Sequence, residues 1–545
     1  MIIPNAIILA AGKSSRFAPF TYERPKGLFR VKNEVLIERQ ISQLIEAGIE
    51  DIYIVVGYMK EKFFYLEQKY PQVTLLINNN FGTKGNLYSL YVAREYLKNT
   101  YVSYADYYFT KNPFLRDRTE LTLEKEEYKY NRSYHACVYR KGKFNEFSAC
   151  QSDAQVITHV DIGGYNQMAM TGHAYFNEIF SKRFIEFLDS EINDFRVSSL
   201  FWEEFYQRHI KELTLYVKEY PDDEVLEFNS IEDLRQFDSD FLLNVDSTII
   251  NNIVNHFGCN PNEIVDISVI NAGLTNVSFV FTLQGIKYVY RHPGGNADNL
   301  INRQTEIFSQ NKAVELGIDP SVIHIDKTGW KLSYLVENLA PVNFEKYSWQ
   351  KQKCFEFLHK IHDVKPDDTV KIFDIMKEGK RLISLACSTK GNLFAEFKEI
   401  LDKLDKIDIY LKKDSKENGF PWVLSHGDVY EPNFLATTDG KLFLIDWEYS
   451  GINDPAHDIN SILTRYYFTD EQIDNYYREY FGRNLTELEY RHYYAQLPIS
   501  SFYWLSWGLY KGSIGDDDGF FMLQAYRNII RFIDKAISMF ENKSI

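Results

Sequence analysis

Apolar and polar positions trade places along the first hundred residues with a regular change of period. Residues 6–11 (Ala6, Ile7, Ile8, Leu9, Ala10, Ala11) form an unbroken apolar run of one buried strand's length. The run breaks at Gly12 into a loop of small residues. Residues 38–48 then carry apolar side chains at helical spacing and stop at Gly48. Beyond it, residues 51–58 predict a second buried strand, 61–70 a helix, 73–79 a strand, 86–96 a helix and 101–106 another strand. Strands alternating with helices imply a parallel α/β sheet whose ligands sit at the carboxyl ends of the strands. Gly12 and Asp106 both fall at such ends.

The second half has a different rhythm. Residues 267–281 and 287–292 read as strands joined by a tight turn at Gln284-Gly285, and a mostly helical region follows, interrupted by strand-like 442–447. A helix at 230–237 gives way to Asp238-Ser239-Asp240. The join is expected there, with one domain over 1–238 and another over 246–545. Two domains suit a chain of 545 residues, since a single core stops growing at roughly 250–300 residues.

Charge narrows the partners. A formal net charge of −15 does not supply the field of a nucleic-acid binder and repels an anionic membrane. It mildly favours a cationic substrate, and any nucleotide must be met by local cations. The five cysteines are scattered without a CxxC pair, which predicts reduced thiols and a cytoplasmic location. No apolar stretch approaches the roughly 20 residues needed to span a bilayer. Oligomeric state is left open.

The first candidate chemistry lies at residues 9–28, LAAGKSSRFAPFTYERPKGL. A strand ending in a Gly/Ser loop (Leu9, Ala10, Ala11, Gly12) exposes backbone N–H groups that cradle phosphates. Arg16 and Lys26 follow as cations for a triphosphate and its developing charge. An ordinary turn after a buried strand accounts for the loop, but not for Arg16 and the Pro25-Lys26 pair at this spacing. The string resembles the signature of nucleotidyltransferases that activate phosphorylated small molecules with an NTP. In such a reaction a phosphate oxygen attacks the α-phosphorus and pyrophosphate leaves. The nucleophile is already anionic, so the work is positioning and charge neutralisation by cations and Mg²⁺. Asp106, closing its strand, is the candidate metal ligand.

Residues 1–238 further resemble the bacterial phosphocholine cytidylyltransferases, through VVGY (55–58), NLYSLYVA (86–93), YADYYF (104–109), NEF (145–147), FWEE (201–204) and LEFNSIEDL (226–234). The resemblance implies a Rossmann-like α/β/α sandwich with CTP held by residues 9–12, Asn86 and Ser89. It also implies a phosphocholine headgroup enclosed at Phe147 and Phe201, where relatives carry Trp and Tyr. Asn229 stands where relatives have an acid, so a second metal ligand falls to Glu203 or Glu227.

The second candidate site is the string 424–459. Asp428 and Asn433 stand five residues apart, followed by Asp446 on a strand. This is the constellation of kinase-type phosphoryl transfer: Asp428 accepts a hydroxyl proton, while Asn433 and Asp446 hold Mg²⁺ on the phosphates of ATP. A base is needed because an alcohol is protonated at neutral pH. The string resembles the choline kinase and aminoglycoside phosphotransferase family, a protein-kinase-like α+β fold, over residues 246–545. That resemblance implies a nucleotide loop with Asn271, Gly273 and Asn276, a phosphate-holding Arg291 with Glu306 as partner, and His426 as support for the loop. Choline is favoured over aminoglycosides by residues 446–459, which include Glu448, and by 501–510. There Trp504 and Trp507 are three apart, on one helical face. A trimethylammonium group donates no N–H and is best held by aromatic faces; the plain alternative is a core-packing stripe. Asp516–Asp518 read as a solvated turn.

Together the halves predict a bifunctional enzyme. Choline and ATP give phosphocholine, and phosphocholine and CTP give CDP-choline. Ethanolamine as substrate is one alternative. A sugar kinase fused to a sugar-1-phosphate nucleotidyltransferase is another, and it calls for polar residues where Trp504, Trp507, Phe147 and Phe201 stand. A catalytically dead, nucleotide-sensing domain is the third; the intact acid and cation sets argue against it.

Overall fold

A computed structural model describes residues 4–115, 132–270, 276–294, 300–390, 394–515 and 519–541. Two compact units emerge, Met1–Val269 and Ile270–Ile545.

The first unit is built on a seven-stranded sheet. In spatial order its strands are Tyr216–Tyr220, Tyr134–Gln151, Ile157–Phe176, Thr100–Tyr104, Asn5–Ala10, Ile52–Val56 and Val73–Ile77. Asn5–Ala10 pairs in parallel with Ile52–Val56 and with Thr100–Tyr104, so the anticipated alternation is present. Successive residues of the central strand serve opposite layers. Ala6, Ile8 and Ala10 pack with Ile37, Ile41 and Leu44 of the helix Leu36–Glu46. Ile7 and Leu9 pack with Leu87 and Leu90, and with Phe180 and Phe184 of the helix Glu178–Glu191. The result is an α/β/α sandwich.

Two features go beyond the local pattern. Tyr134–Gln151 and Ile157–Phe176 form a long antiparallel hairpin interrupted by register shifts. The short strand Val225–Glu227 pairs antiparallel with Tyr107–Phe109, setting Glu227 opposite Tyr107. Residues 246–269, expected to open the second domain, lie in the first unit. There Ser247 caps the helix Thr248–Phe257, which buries Ile249, Ile250 and Ile253. Glu23 accepts from the Ile249 N–H at 3.2 Å, and Arg235 donates to the Ile264 carbonyl at 3.1 Å.

Within the second unit the larger sheet runs Asn276–Leu283, Ile286–Pro293, Lys331–Tyr334, Val322–Ile325, all antiparallel. A smaller sheet holds Leu339–Ala340, Phe434–Thr437 and Leu442–Leu444. Helices fill the rest, among them Ser348–His362, Ala456–Arg465 and Glu487–Ser513. The last is buried nearly all round from His492 to Lys511, as befits the central helix of a core. Among the described residues no helix is long and apolar enough to cross a membrane.

Candidate active sites

In the first unit a close approach organises the site. A Cβ on Gly27 would lie 2.9 Å from the Ala105 Cβ, so only glycine lets the turn Lys26–Leu28 rest against the end of Thr100–Tyr104. That contact places the Lys26 Nζ 2.7 Å from Asp106 Oδ2 and 2.6 Å from the Phe228 carbonyl, and 4.2 Å above the Phe17 ring. Lys26 is 3 % exposed, its charge matched by these partners rather than by water.

A cavity of about 350 Å³ opens at this strand end. Residues 9–12, Lys26, Asn86, Ser89, Asp106 and Phe201 line it, together with Glu227 and Lys84. Sequence reasoning passed over Lys84, although it stands two positions before Asn86; its Nζ donates to the Ser198 Oγ at 2.6 Å. Arg16 is exposed and donates to Asn229 Oδ1 at 3.2 Å. Asn229 in turn donates to Glu146 at 3.5 Å, so its amide bridges a cation and an acid.

The two candidate second carboxylates separate. Glu227 reaches the cavity through the ladder that pairs it beside Asp106. Burial and the Asp106 charge push its carboxyl up to about 7, against the pull of Lys26 and Arg16. Glu203, expected as a metal ligand, is buried behind the cavity wall in the helix Trp202–Arg208. Its Oε1 accepts from the Tyr104 hydroxyl at 2.8 Å, and burial raises it to about 8. The Asn86 amide donates to the same hydroxyl at 2.6 Å and accepts from the Trp202 N–H at 2.8 Å. Glu203 therefore braces the wall that Tyr104 and Asn86 present. Phe147 and Phe201 meet edge to face, ring centroids 5.8 Å apart, with Phe201 49 % exposed.

In the second unit Asp428 follows Gly427, which has φ +85° and whose Cβ would lie 2.2 Å from the Tyr449 carbonyl oxygen. The loop is hung on Asp458, missed in the sequence though it lies within the 446–459 string. Its carboxylate accepts from the His426 N–H at 3.0 Å, the Gly427 N–H at 2.8 Å and His362 Nε2 at 2.9 Å. His426 Nδ1 accepts from the Asp428 N–H at 3.2 Å, and its Nε2 donates to the Ile445 carbonyl at 3.0 Å. It thus ties the Asp428 loop to the segment bearing Asp446.

Asn433 donates to Asp428 Oδ2 at 3.0 Å and to the Asp428 carbonyl at 2.8 Å. Asp446, in a left-handed conformation (φ 67°), accepts from Arg291 at 3.2 Å. Arg291 is buried; it pairs with Glu306 and donates to the Gly329 carbonyl at 3.1 Å. Burial would raise the Glu306 carboxyl, but Arg291 and Arg303 outweigh it and hold it low. Glu448 is buried and accepts from Asn276 Nδ2 at 2.6 Å. Burial and the nearby Asp446 raise it to about 8. Asn271, Gly273 and Asp516–Asp518 lie outside the described residues.

Trp504 and Trp507 are each 6 % exposed, ring centroids 6.1 Å apart. Trp507 donates to the Tyr449 hydroxyl at 3.0 Å. The Trp504 face carries a cation: the Arg465 guanidinium stands 3.7 Å from its centroid while donating to Asp428 Oδ1 at 2.7 Å. The indole wall and the candidate base thus share one site, and Arg465, which sequence reasoning missed, spans them. Each unit also offers a pair of oxygen donors, Asp106 with Glu227 and Asp446 with Asn433. Such pairs suit a hard divalent cation that keeps water and phosphate ligands.

Residues 6–161 match the MobA-like NTP transferase domain, and residues 266–494 match the phosphotransferase enzyme family. The chain is 35 % identical over 234 residues to choline-phosphate cytidylyltransferase of Streptococcus pneumoniae, covering 43 % of this chain and 96 % of that protein. It is 32 % identical over 243 residues to 2-aminoethylphosphonate cytidylyltransferase of Lancefieldella rimae, covering 44 % and 93 %. Its other half is 27 % identical over 265 residues to Protein LicA of Haemophilus influenzae, covering 46 % and 95 %. Nucleotides are the substrates of both families, generally with a divalent metal. The second unit is kinase-like, and through its Rossmann-like first unit the chain belongs to the nucleotidyltransferase family of these cytidylyltransferases.

Proposed function

We propose that this enzyme makes CDP-choline in two steps, phosphorylating choline with ATP in the second unit and transferring a cytidylyl group from CTP to phosphocholine in the first. One observation carries the choline reading. Beside Asp428, the Trp504 face already holds a cation, the arrangement an alkylammonium alcohol needs. The cytidylyltransferase relatives support the second step.

In the phosphorylation the choline hydroxyl lies against Asp428. Its oxygen bonds to the γ-phosphorus, the carboxylate takes the proton, and the bond to the β–γ bridging oxygen breaks to release ADP. Asn433 orients Asp428 through Oδ2. Arg291, fixed by Glu306, faces the phosphates. Asn433 and Asp446 would hold Mg²⁺, which supplies neutralising charge when bound. In the transfer, a phosphocholine oxygen bonds to the α-phosphorus of CTP and pyrophosphate leaves. Lys26, Lys84 and the amides of residues 9–12 hold the triphosphate, with Arg16 as an outer cation. Asp106 and Glu227 would hold Mg²⁺ there, and Phe147 and Phe201 receive the trimethylammonium group. Consumption of ATP and CTP supports a cytoplasmic location for the enzyme.

The test is incubation of the full chain with ATP, CTP and Mg²⁺ plus choline, ethanolamine or hexosamines in parallel, with products read by mass. Phosphocholine followed by CDP-choline is expected. Conversion of ethanolamine alone would replace choline by the primary amine, the reading that the 2-aminoethylphosphonate relative favours. Conversion of hexosamines alone would overturn both.

A further inference from the structure

Arg465 ends the helix Ala456–Arg465, whose first turn carries Asp458. Its side chain is 10 % exposed. The guanidinium donates to Asp428 Oδ1 at 2.7 Å, lies 3.7 Å over the Trp504 ring and stands 4.6 Å from the Tyr430 centroid. Its Nε is buried and has no hydrogen-bond partner among the described residues. Arg291, by contrast, is gripped by Glu306, Asp446 and a backbone carbonyl. Arg465 is thus held by one carboxylate oxygen and by ring faces, on a flexible stem.

Those partners are the ones an amino alcohol requires. The other carboxylate oxygen, Oδ2, is engaged by Asn433, which leaves Oδ1 for a substrate hydroxyl. The indole face covered by Arg465 is the face an ammonium group would take, and one face takes one cation. We propose that Arg465 is a displaceable occupant of the kinase site's ammonium seat, so that substrate enters only as its guanidinium leaves Asp428 and Trp504. It is then an affinity-determining residue for the phosphorylation, an inference that rests on the choline-kinase reading.

Substitution separates this role from a structural one. In the full chain, Arg465→Met removes the competitor, so KM for choline falls at least about fivefold while KM for ATP stays near wild type. The neutral isostere 3,3-dimethylbutanol gains by the same factor, because the cost removed is that of opening the seat. Arg465→Lys keeps a charge without the planar fork and gives a smaller fall; it also carries the test if the Met variant fails to fold. An unchanged or raised KM with a lowered kcat would mean that Arg465 orients Asp428, and would overturn the proposal. Calorimetry with tetramethylammonium reads the seat without turnover. Tighter binding to Arg465→Met than to wild type supports the seat even if choline is not phosphorylated, an outcome that would sink only the functional reading. Equal or weaker binding sinks the seat.

Discussion

Gly427→Ala tests whether the Asp428 loop is held by steric necessity. Two costs arise at this position. The first is conformational: with φ at +85°, an L side chain costs about 1–2 kcal/mol. The second is a collision: the new Cβ would lie 2.2 Å from the Tyr449 carbonyl oxygen and 2.9 Å from its carbon. Backbone atoms cannot swing aside, so relief requires a shift of the loop costing about 1–3 kcal/mol. Gly440 provides the control, since it has φ +83° but no atom within 4 Å of its Cβ position. Gly440→Ala should therefore cost about 1–2 kcal/mol and Gly427→Ala about 2–5 kcal/mol. The shift at Gly427 also strains its N–H bond to Asp458 and displaces the adjacent Asp428, for which a loss of roughly 10²-fold in kcat is expected. Urea unfolding followed by tryptophan fluorescence is a suitable assay, because six of the seven tryptophans lie in the second unit. Equal destabilisation of the two variants, with kcat preserved in both, would refute the reasoning.

Three further outcomes are expected. Asp428→Asn should lower phosphorylation by about 10²–10⁴-fold while cytidylyl transfer by the same chain persists; loss of both would contradict the assignment. Glu227→Gln should raise the Mg²⁺ requirement of cytidylyl transfer about tenfold or more. Glu203→Gln should leave that requirement unchanged, since an acid raised to about 8 is mostly protonated at neutral pH and close to an amide in shape; a Mg²⁺ titration in which Glu203→Gln gives the larger effect would reverse the two roles. His492, whose burial lowers its affinity for a proton, is nonetheless raised to about 9 by Asp454 and Asp414. Its folded pKa exceeds the unfolded value of about 6.5, so its contribution, on the order of 3 kcal/mol, is complete below pH 6.5 and lost as pH rises through 9. Urea midpoints measured from pH 6 to 10 should decline in the wild type and flatten in His492→Gln; parallel curves would refute the linkage.

The local pattern was informative where one layer of structure determines the next. The expected strands at 6–11, 51–58, 73–79 and 101–106 correspond to Asn5–Ala10, Ile52–Val56, Val73–Ile77 and Thr100–Tyr104, because a buried parallel strand needs a continuous apolar run. Asp428, Asn433 and Asp446 converge because the loop and a short hairpin carry them over a short span of chain. What escaped depends on distant pairing. Glu227 stands beside Asp106 only because Val225–Glu227 pairs with Tyr107–Phe109, more than a hundred residues earlier. Glu203 is in a first turn, where an acid reads as accessible, yet Trp202 and Phe205 of its helix turn that face inward. Arg465 gave no signal: a lone arginine at a helix end acquires meaning only from Asp428 and Trp504, 37 and 39 positions away. The hairpin Tyr134–Gln151/Ile157–Phe176 is half polar in composition, and its register shifts blur the alternation that would announce it.

The triple acceptance at Asp458 has a thermodynamic corollary. A loop pinned to a helix by a fully buried carboxylate is ordered before any nucleotide arrives, so binding is spared the entropy of arranging it. Nucleotide affinity at this unit then reflects contacts made, with little deducted for reorganisation. The amide protons of His426 and Gly427, sealed against that carboxylate, should exchange with solvent only when the whole unit opens, and their exchange rates become a direct gauge of its cooperative stability.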